Sequence, residues 1–342
     1  MRTAVVILNY NGEPLLRELL PKVVAYSPQA EVIVADNAST DGSLALLKRD
    51  FPQVRVIELP ENFGFAEGYN RALAQVEADF FVLLNSDVEV TENWLAPLLR
   101  FLADNPDVAA CQPKLLSYNR RSQFEYAGAC GGCIDRWGYP FCRGRILNTV
   151  ENDHGQYDTP ADIFWATGAC LCIRADKFRE VGGLDGRFFA HMEEIDLCWR
   201  LNARGNRIAC VPQSVVYHIG AKTLNKESPF KTYLNFRNNA LMIYKNAPDA
   251  RHILAVRFWL DLLAAAHLLL QGKTENALAV VRALRDSRRM RRDFEADRRQ
   301  NMQAATATKL AGFFHGSILW AYYVRRVKVA RNLHLSNTTN QK

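Results

Sequence analysis

The 342-residue chain lacks a clean apolar span of the ~20 residues a membrane-crossing helix needs. Residues 253–270 are strongly apolar but interrupted by Arg257, Asp261 and His267, and residues 310–324 are aromatic-rich and followed by Arg325, Arg326, Lys328 and Arg331. A signal sequence is missing as well. Met1-Arg2-Thr3 leads straight into Ala4-Val5-Val6-Ile7-Leu8, too short for a signal core and without a small-residue cleavage site, so the start reads as a first strand of a protein made in the cytoplasm. Neither a Walker P-loop nor a G-x-G-x-x-G is present, which disfavours an NTPase or a dehydrogenase. The eight cysteines form no evident disulfide framework; Cys111, Cys170, Cys172 and Cys210 sit in apolar stretches where a small hydrophobe serves, and reduced thiols are expected. Cys130-x-x-Cys133 with Cys142 lacks a second pair at structural spacing, which disfavours zinc.

What is present suffices for a large core. Apolar residues make up 49% of the chain, which excludes a mainly disordered protein, and the length predicts one large domain plus an extension. The first half alternates short β-branched runs with helix-length segments, the pattern of βαβ units in a mostly parallel sheet. Strands are predicted at 3–8, 31–35, 54–59, 80–84 and 108–112, with helices at 15–25, 44–49, 66–76 and 94–103. Residues 117–160 lose this rhythm and carry Gly128, Gly131, Gly132, Gly138 and Pro140 among scattered aromatics, which predicts a long excursion or hairpin. A helix at 193–204 ended by Gly205, strand pieces at 208–211 and 215–217, and an almost wholly helical chain beyond 230 complete the pattern. The expectation is an α/β domain over 1–240 and a helical C-terminal region over 241–342.

Ligands of open α/β sheets sit at the carboxyl ends of the strands, and those positions are polar here. The first strand ends in Asn9-Tyr10-Asn11-Gly12, the second in Asp36-Asn37-Ala38-Ser39-Thr40-Asp41-Gly42, the third in Glu61-Asn62-Phe63-Gly64 and the fourth in Asn85-Ser86-Asp87. Each loop alone could be turn chemistry. Asp36 at a strand tip can also accept hydrogen bonds from a nucleobase or ribose. Asp87 emerges from a buried strand, where a carboxylate is costly unless it meets solvent, a donor or a metal, and a hard divalent cation bridging diphosphate oxygens meets that need.

These loops, with Asn62-Phe63-Gly64-Phe65-Ala66-Glu67-Gly68-Tyr69-Asn70, Thr167-Gly168-Ala169, the stretch from Gly182-Gly183-Leu184-Asp185 to Arg200, and Tyr217-His218, keep one order over about 240 residues. In this they resemble the family 2 glycosyltransferases of the GT-A fold, and within it the bacterial rhamnosyltransferase-like branch that builds cell-surface polysaccharides. The resemblance implies a Rossmann-like sheet and an inverting transfer of sugar, rhamnose being one candidate, from a nucleoside diphosphate donor to a glycan or lipid-linked acceptor. It implies that Asp36 contacts the nucleoside, with Asn9, Asn11 and Asn37 lining the same pocket, and that Asn62, Gly64 and Asn70 belong to the donor loop. Asn85-Ser86-Asp87 stands where the family has Asp-x-Asp, so Asp87 is the implied ligand of Mg²⁺ or Mn²⁺, while Asn85 and Ser86 face sugar or ribose. His218 is a second implied holder of metal or diphosphate, and Arg237-Asn238 resembles an element near the diphosphate, where the Arg237 guanidinium would offset leaving-group charge. The implied base is Glu194 of the pair Glu193-Glu194, where many relatives carry Glu-Asp.

Plainer readings stand beside these. Glu193, Glu194 and Asp196 also suit a helix N-terminus, with Asp196 and Arg200 an i,i+4 pair; His218 also suits a structural histidine, and Arg237 a solvated helix face. The C-terminal helices are read either as packed on the catalytic domain or, preferably, as amphipathic elements lying on the anionic cytoplasmic face of the inner membrane, near the arginines of 282–299. Asp286, Asp293, Glu295 and Asp297 are interleaved with those arginines, which disfavours nucleic acid. The departures at Asn85 and Glu194 keep a catalytically weak scaffold protein of a polysaccharide-assembly complex as the alternative.

Overall fold

A computed structural model describes residues 1–220 and 228–336. The chain opens as β1 (Thr3–Asn9), α1 (Glu13–Tyr26), β2 (Glu31–Asp36), α2 (Ser43–Asp50), β3 (Arg55–Glu58), α3 (Gly64–Leu73) and β4 (Phe80–Asn85). The strands are β-branched and aromatic runs, and the helices between them bury an apolar stripe on the sheet. β1 pairs in parallel with β2 and β4, and β2 with β3, as βαβ crossovers require.

The next elements are β5 (Val88–Val90), α4 (Leu95–Asp104), β6 (Val108–Ser117), β7 (Gly132–Asp135), β8 (Pro140–Cys142), β9 (Arg145–Ile146), β10 (Thr149–Val150), β11 (Ala161–Asp162), β12 (Cys170–Arg174), α5 (Ala175–Glu180), α6 (Glu193–Ala203) and β13 (Arg207–His218). The central sheet runs β11-β13-β6-β12-β4-β1-β2-β3, with β5 on β13. Apolar clusters cover both faces, one around Val6, Phe81, Leu171 and Trp199, the other around Ile7, Leu84, Trp94 and Cys111. The α/β class is the expected one. The difference lies in β12, which enters antiparallel between β4 and β6 and makes the sheet mixed. The two expected strand pieces after residue 207 are one strand, β13, broken by a register shift between Val211 and Val215.

The glycine-rich excursion folds as a second small sheet, ordered β10-β9-β8-β7 and closed by a strand from the far end of the chain. That end begins with α7 (Pro229–Asn246), α8 (Ala250–Leu270), α9 (Thr274–Met290) and α10 (Glu295–Ala304), then departs from the helical expectation: β14 (Phe313–Phe314) pairs in parallel with β7, followed by α11 (Ile318–Tyr323). A two-residue strand leaves no periodicity to read, and Asp135 secures the return by accepting the Ile318 N–H at 2.8 Å. All eight cysteines are free and buried.

Candidate active site

Parallel register carries the ends of β1, β2 and β4 to one edge, setting Leu8 beside Asn85 and Asn9 beside Asp36. Buried Asn9 donates from Nδ2 to Asp36 Oδ1 at 3.0 Å and to Ser39 Oγ at 3.1 Å, and the Ser39 N–H donates to Asp36 Oδ2 at 2.9 Å. Asn11, at φ 51°, accepts the Thr40 N–H on Oδ1 at 2.7 Å. Asp36 is therefore oriented by neutral donors, with no cation paired to it among the described residues, and keeps acceptor capacity for another neutral donor.

Asn37 fastens the neighbouring loop. Its Nδ2 donates to Asn62 Oδ1 and to the Gly64 carbonyl, both at 3.0 Å, and its Oδ1 accepts the Phe63 N–H at 3.1 Å. Gly64 sits at φ +74°, and a Cβ there would stand 2.4 Å from the Phe189 ring. Its lack of a side chain therefore makes room for Phe189, whose carbonyl accepts the Phe65 and Ala66 N–H groups at 2.7 and 3.2 Å. The loop after β3 and the chain leading into α6 are thus one packed unit.

At the end of β4, Asn85 and Ser86 are half-exposed, and Ser86 Oγ faces the β1 loop, 3.6 Å from where a Cβ on Gly12 would stand. Asp87 is buried, and β13 runs antiparallel to β5 so that His218 lies opposite Val88. His218 Nε2 is 3.1 Å from Asp87 Oδ1, while Nδ1, 3.5 Å from Glu125 Oε1, has no hydrogen-bond partner. Burial disfavours the imidazolium, but the two carboxylates outweigh it and push His218 up to about 10; burial likewise disfavours the Asp87 carboxylate, and His218 outweighs it and holds Asp87 below its ordinary range. An internal cation thus occupies a cradle of carboxylates.

A divalent ion fits that donor set by exchanging for the imidazolium proton. Among the described residues no group of three or more His, Cys, Asp or Glu side chains is arranged to hold a metal by itself, so phosphate oxygens and water would have to complete the shell, as is usual for Mg²⁺. Glu125 escaped the sequence reading because it lies in the aperiodic excursion.

The acidic pair opens α6. Asp196, three residues into the helix, is bound by Arg200 Nε at 2.9 Å, Lys245 Nζ at 2.9 Å and Asn246 Nδ2 at 2.7 Å, so its role is structural. Glu193 and Glu194 differ. Glu193 is buried, Oε2 of each carboxyl lacks a partner, and Oε2 of each is screened from water. Burial pushes Glu194 up to about 7, partly offset by the N–H groups of Glu194, Ile195 and Gly168; burial and the neighbouring Glu194 push Glu193 well above its ordinary value. A carboxylate titrating near neutrality can take a proton from a hydroxyl and release it again.

The chain entering α6 is strained. Phe189, His191 and Met192 have φ of 65°, 71° and 74°, a region costly for residues with a side chain. One amide holds it: Asn238 Nδ2 donates to the carbonyls of Phe188, Ala190 and His191 at 2.9, 2.9 and 2.8 Å. Arg237, beside it, spends Nη2 on the carbonyls of Arg187 and Phe188, both at 3.1 Å, and Nε on Asn238 Oδ1 at 2.8 Å; these contacts are a brace of the same loop. Asn70 also braces, clasping the Leu184 backbone with Nδ2 to its carbonyl at 2.7 Å and Oδ1 to its N–H at 3.0 Å. The sequence pointed to Asn238 beside Arg237 but not to its clamping role, and His191 went unread, since a clamp on backbone carbonyls has no motif. Asn238→Ala is expected to lower the melting temperature, each lost buried bond costing about 1 kcal/mol, and to lower kcat by about 10–100-fold through misplacement of Glu194; thermal melts and initial rates check both.

Likeness to known proteins gives the family and the fold. Residues 4–178 match the family described as Glycosyl transferase family 2. The chain is 28% identical over 240 residues to an N-acetylglucosaminyl-diphospho-decaprenol L-rhamnosyltransferase of Mycobacterium tuberculosis, covering 65% of this chain and 78% of that protein. It is 29% identical over 219 residues to the O-antigen biosynthesis protein RfbC of Myxococcus xanthus, covering 62% of this chain but 17% of that one. Among solved structures, GalNAc-T7 with UDP, GalNAc and Mn²⁺ superposes with a TM-score of 0.58 at 18% identity, covering 73% of this chain and 49% of that one. S. aureus TarS residues 1–349 with UDP-GlcNAc give a TM-score of 0.54 at 18% identity and cover 89% of each chain. The sheet is thus that of GT-A glycosyltransferases, and the chain belongs to glycosyl transferase family 2.

Proposed function

We propose that the protein is an inverting, metal-dependent glycosyltransferase that moves a sugar, rhamnose among the candidates, from a nucleoside diphosphate donor onto a glycan or lipid-linked acceptor in cell-surface polysaccharide synthesis. The observation that carries this reading is the place of Glu194, a carboxyl with a water-screened oxygen: its Cβ is 3.9 Å from where a Cβ on Gly168 would stand, next to Ala169, whose carbonyl accepts the Asn85 N–H at 3.0 Å at the end of β4, and burial there pushes it up to about 7. Glu194 accepts the proton of the acceptor hydroxyl while that oxygen forms its bond to the anomeric carbon. The bond from that carbon to the diphosphate breaks from the opposite side, so the anomeric centre inverts. Asp87 and His218 would hold Mg²⁺ or Mn²⁺, whose charge, when bound, offsets that of the diphosphate. Asp36, with Asn9, Asn11 and Asn37 behind it, orients the nucleoside; Asn62, Gly64, Asn70 and Arg237 keep the donor loop and the base in register.

The test is calorimetric titration with UDP, dTDP and GDP, with Mn²⁺, Mg²⁺ or EDTA. Metal-dependent binding of one nucleotide is expected and names the donor. Failure of all three under both metals would leave the scaffold reading.

The same proposal includes a peripheral seat on an anionic membrane surface. Among the described residues α8 is long and apolar enough to cross a bilayer by length and composition alone. Yet Arg257 and Asp261, paired at 3.1 Å, face the protein, with Arg257 donating to the Trp137 carbonyl at 3.0 Å. The outer side exposes Trp259 by 67%, Leu263 by 66% and Leu270 by 88%, and α9 adds exposed Leu278, Val281, Arg282, Arg285 and Arg289. Apolar side chains with cations nearby suit a helix lying in the headgroup region. Trp259→Ser with Leu263→Ser is expected to reduce sedimentation with phosphatidylglycerol vesicles at least fivefold and leave nucleotide binding unchanged; undiminished sedimentation would remove this face from the proposal.

A further inference from the structure

The small sheet carries a cation that the donor site does not use. Arg145 opens β9 and is only 7% exposed, yet no carboxylate pairs with it among the described residues. A guanidinium has five N–H donors. Here Nη2 reaches only the Cys142 thiol at 3.4 Å, Nη1 only the Leu147 carbonyl at 3.5 Å, and Nε has no partner. Glu125, next to Tyr126 in the chain, favours the Arg145 cation only from a distance, its own oxygens being turned toward His218 Nδ1 and the Ala127 N–H. Burial works against this charge, and no hydrogen-bonded counter-ion among the described residues offsets it, so a second anion has a reason to bind. The ring of Tyr126 covers the guanidinium at 4.5 Å and is itself 47% exposed, so the cation lies one aromatic layer beneath the surface.

Its position ties it to the reaction. Tyr126 follows Glu125, which reaches His218; on the other side a Cβ on Gly128 would stand 2.6 Å from the Thr167 side chain. Gly168, next along, gives its N–H to the Glu194 carboxyl. The loop that carries Tyr126 therefore runs from Glu125, the partner of His218, to Gly128, packed on the neighbours of the candidate base, with Arg145 against the Tyr126 ring.

We propose that Arg145, with Tyr126 over it, is an anion subsite for the acceptor, taking a phosphate-ester group attached to the acceptor sugar. Guanidinium donors suit phosphate oxygens in pairs, and the exposed ring suits the face of the sugar that carries the group. The assignment of this anion to an acceptor rests on the transferase reading above.

The test is calorimetry in EDTA, with N-acetylglucosamine 1-phosphate and N-acetylglucosamine as probes, on wild type, Arg145→Met, Tyr126→Ala and Asp87→Ala. The wild type and Asp87→Ala are expected to bind the phosphorylated probe at least tenfold more tightly than the neutral sugar. Arg145→Met is expected to abolish the preference, and Tyr126→Ala, a surface change that tests the same subsite if Arg145→Met fails to fold, to reduce it at least threefold. Equal binding of the two probes by wild type, an undiminished preference in Tyr126→Ala, a preference that survives in folded Arg145→Met, or one lost only in Asp87→Ala would overturn the proposal, the last by assigning the anion to the donor site. Nucleotide binding with Mn²⁺, measured on the same samples, separates the two failures. Its absence alongside a phosphate preference removes the transferase reading but leaves an anion site, whereas its presence without a preference does the reverse.

Discussion

Glu194→Gln is expected to lower kcat by about 10²–10⁴-fold, the range for a lost general base, with donor affinity within about twofold of wild type, since an amide of the same shape keeps the packing. The wild-type rate is expected to rise with pH through a midpoint near 7, because burial pushes Glu194 up to about 7 and only the carboxylate can accept a proton. The variant's residual rate should lack that limb. A full rate in Glu194→Gln, with the same pH profile, would remove this residue from the chemistry.

The same substitution has a thermodynamic signature. The ordinary carboxyl value is 4.5 and the folded one about 7, so between those limits the unfolded chain has lost a proton that the folded chain retains. Stability contributed by the protonated, buried form is complete below 4.5 and is lost as pH rises toward 7. Glutamine has no proton to lose. The melting temperature of Glu194→Gln relative to wild type is therefore expected to climb from pH 4.5 to pH 7.5, and parallel melts across that range check it.

How much of this was legible in the sequence depends on the distance over which each interaction acts. β1, β2 and β4 were readable because strands buried on both faces are long apolar runs, and their polar ends identified the edge that holds Asp36 and Asp87. β12 was hidden: Cys170-Leu171-Cys172-Ile173-Arg174 looks like any buried segment, and its antiparallel insertion between β4 and β6 is decided by the sheet. The small sheet was legible only as an excursion or hairpin over 117–160, because its strands are pieces of two to four residues, and β14 was hidden because it joins them from more than 150 residues further along. Glu193-Glu194 stood out as an acidic pair, but the strain at Phe189, His191 and Met192 and its clamp by Asn238 join residues about fifty positions apart. Asn37, Asn62 and Asn70 were read as pocket residues, and their contacts here are with backbone and with each other, a division of labour that sequence alone cannot express.

Asp87→Ala is expected to reduce nucleotide binding in Mn²⁺ to the level measured in EDTA. Two effects of the change have to be separated. Asp87 is the closest counter-ion of His218, at 3.1 Å, and breaking a buried pair costs about 3–5 kcal/mol when the remaining charge persists. His218, left with Glu125 at 3.5 Å, can relieve that cost by releasing its proton, so some destabilisation is expected whether or not a metal binds. Asp87→Asn resolves the ambiguity, because it preserves size and one hydrogen-bonding oxygen while removing the charge a divalent cation needs. If Asp87 holds the metal, the Asp87→Asn protein, which keeps the packing, melts above Asp87→Ala yet loses the difference between Mn²⁺ and EDTA. If its role is confined to His218, metal-dependent binding survives in both variants, and the metal site must be sought elsewhere on the same strand edge.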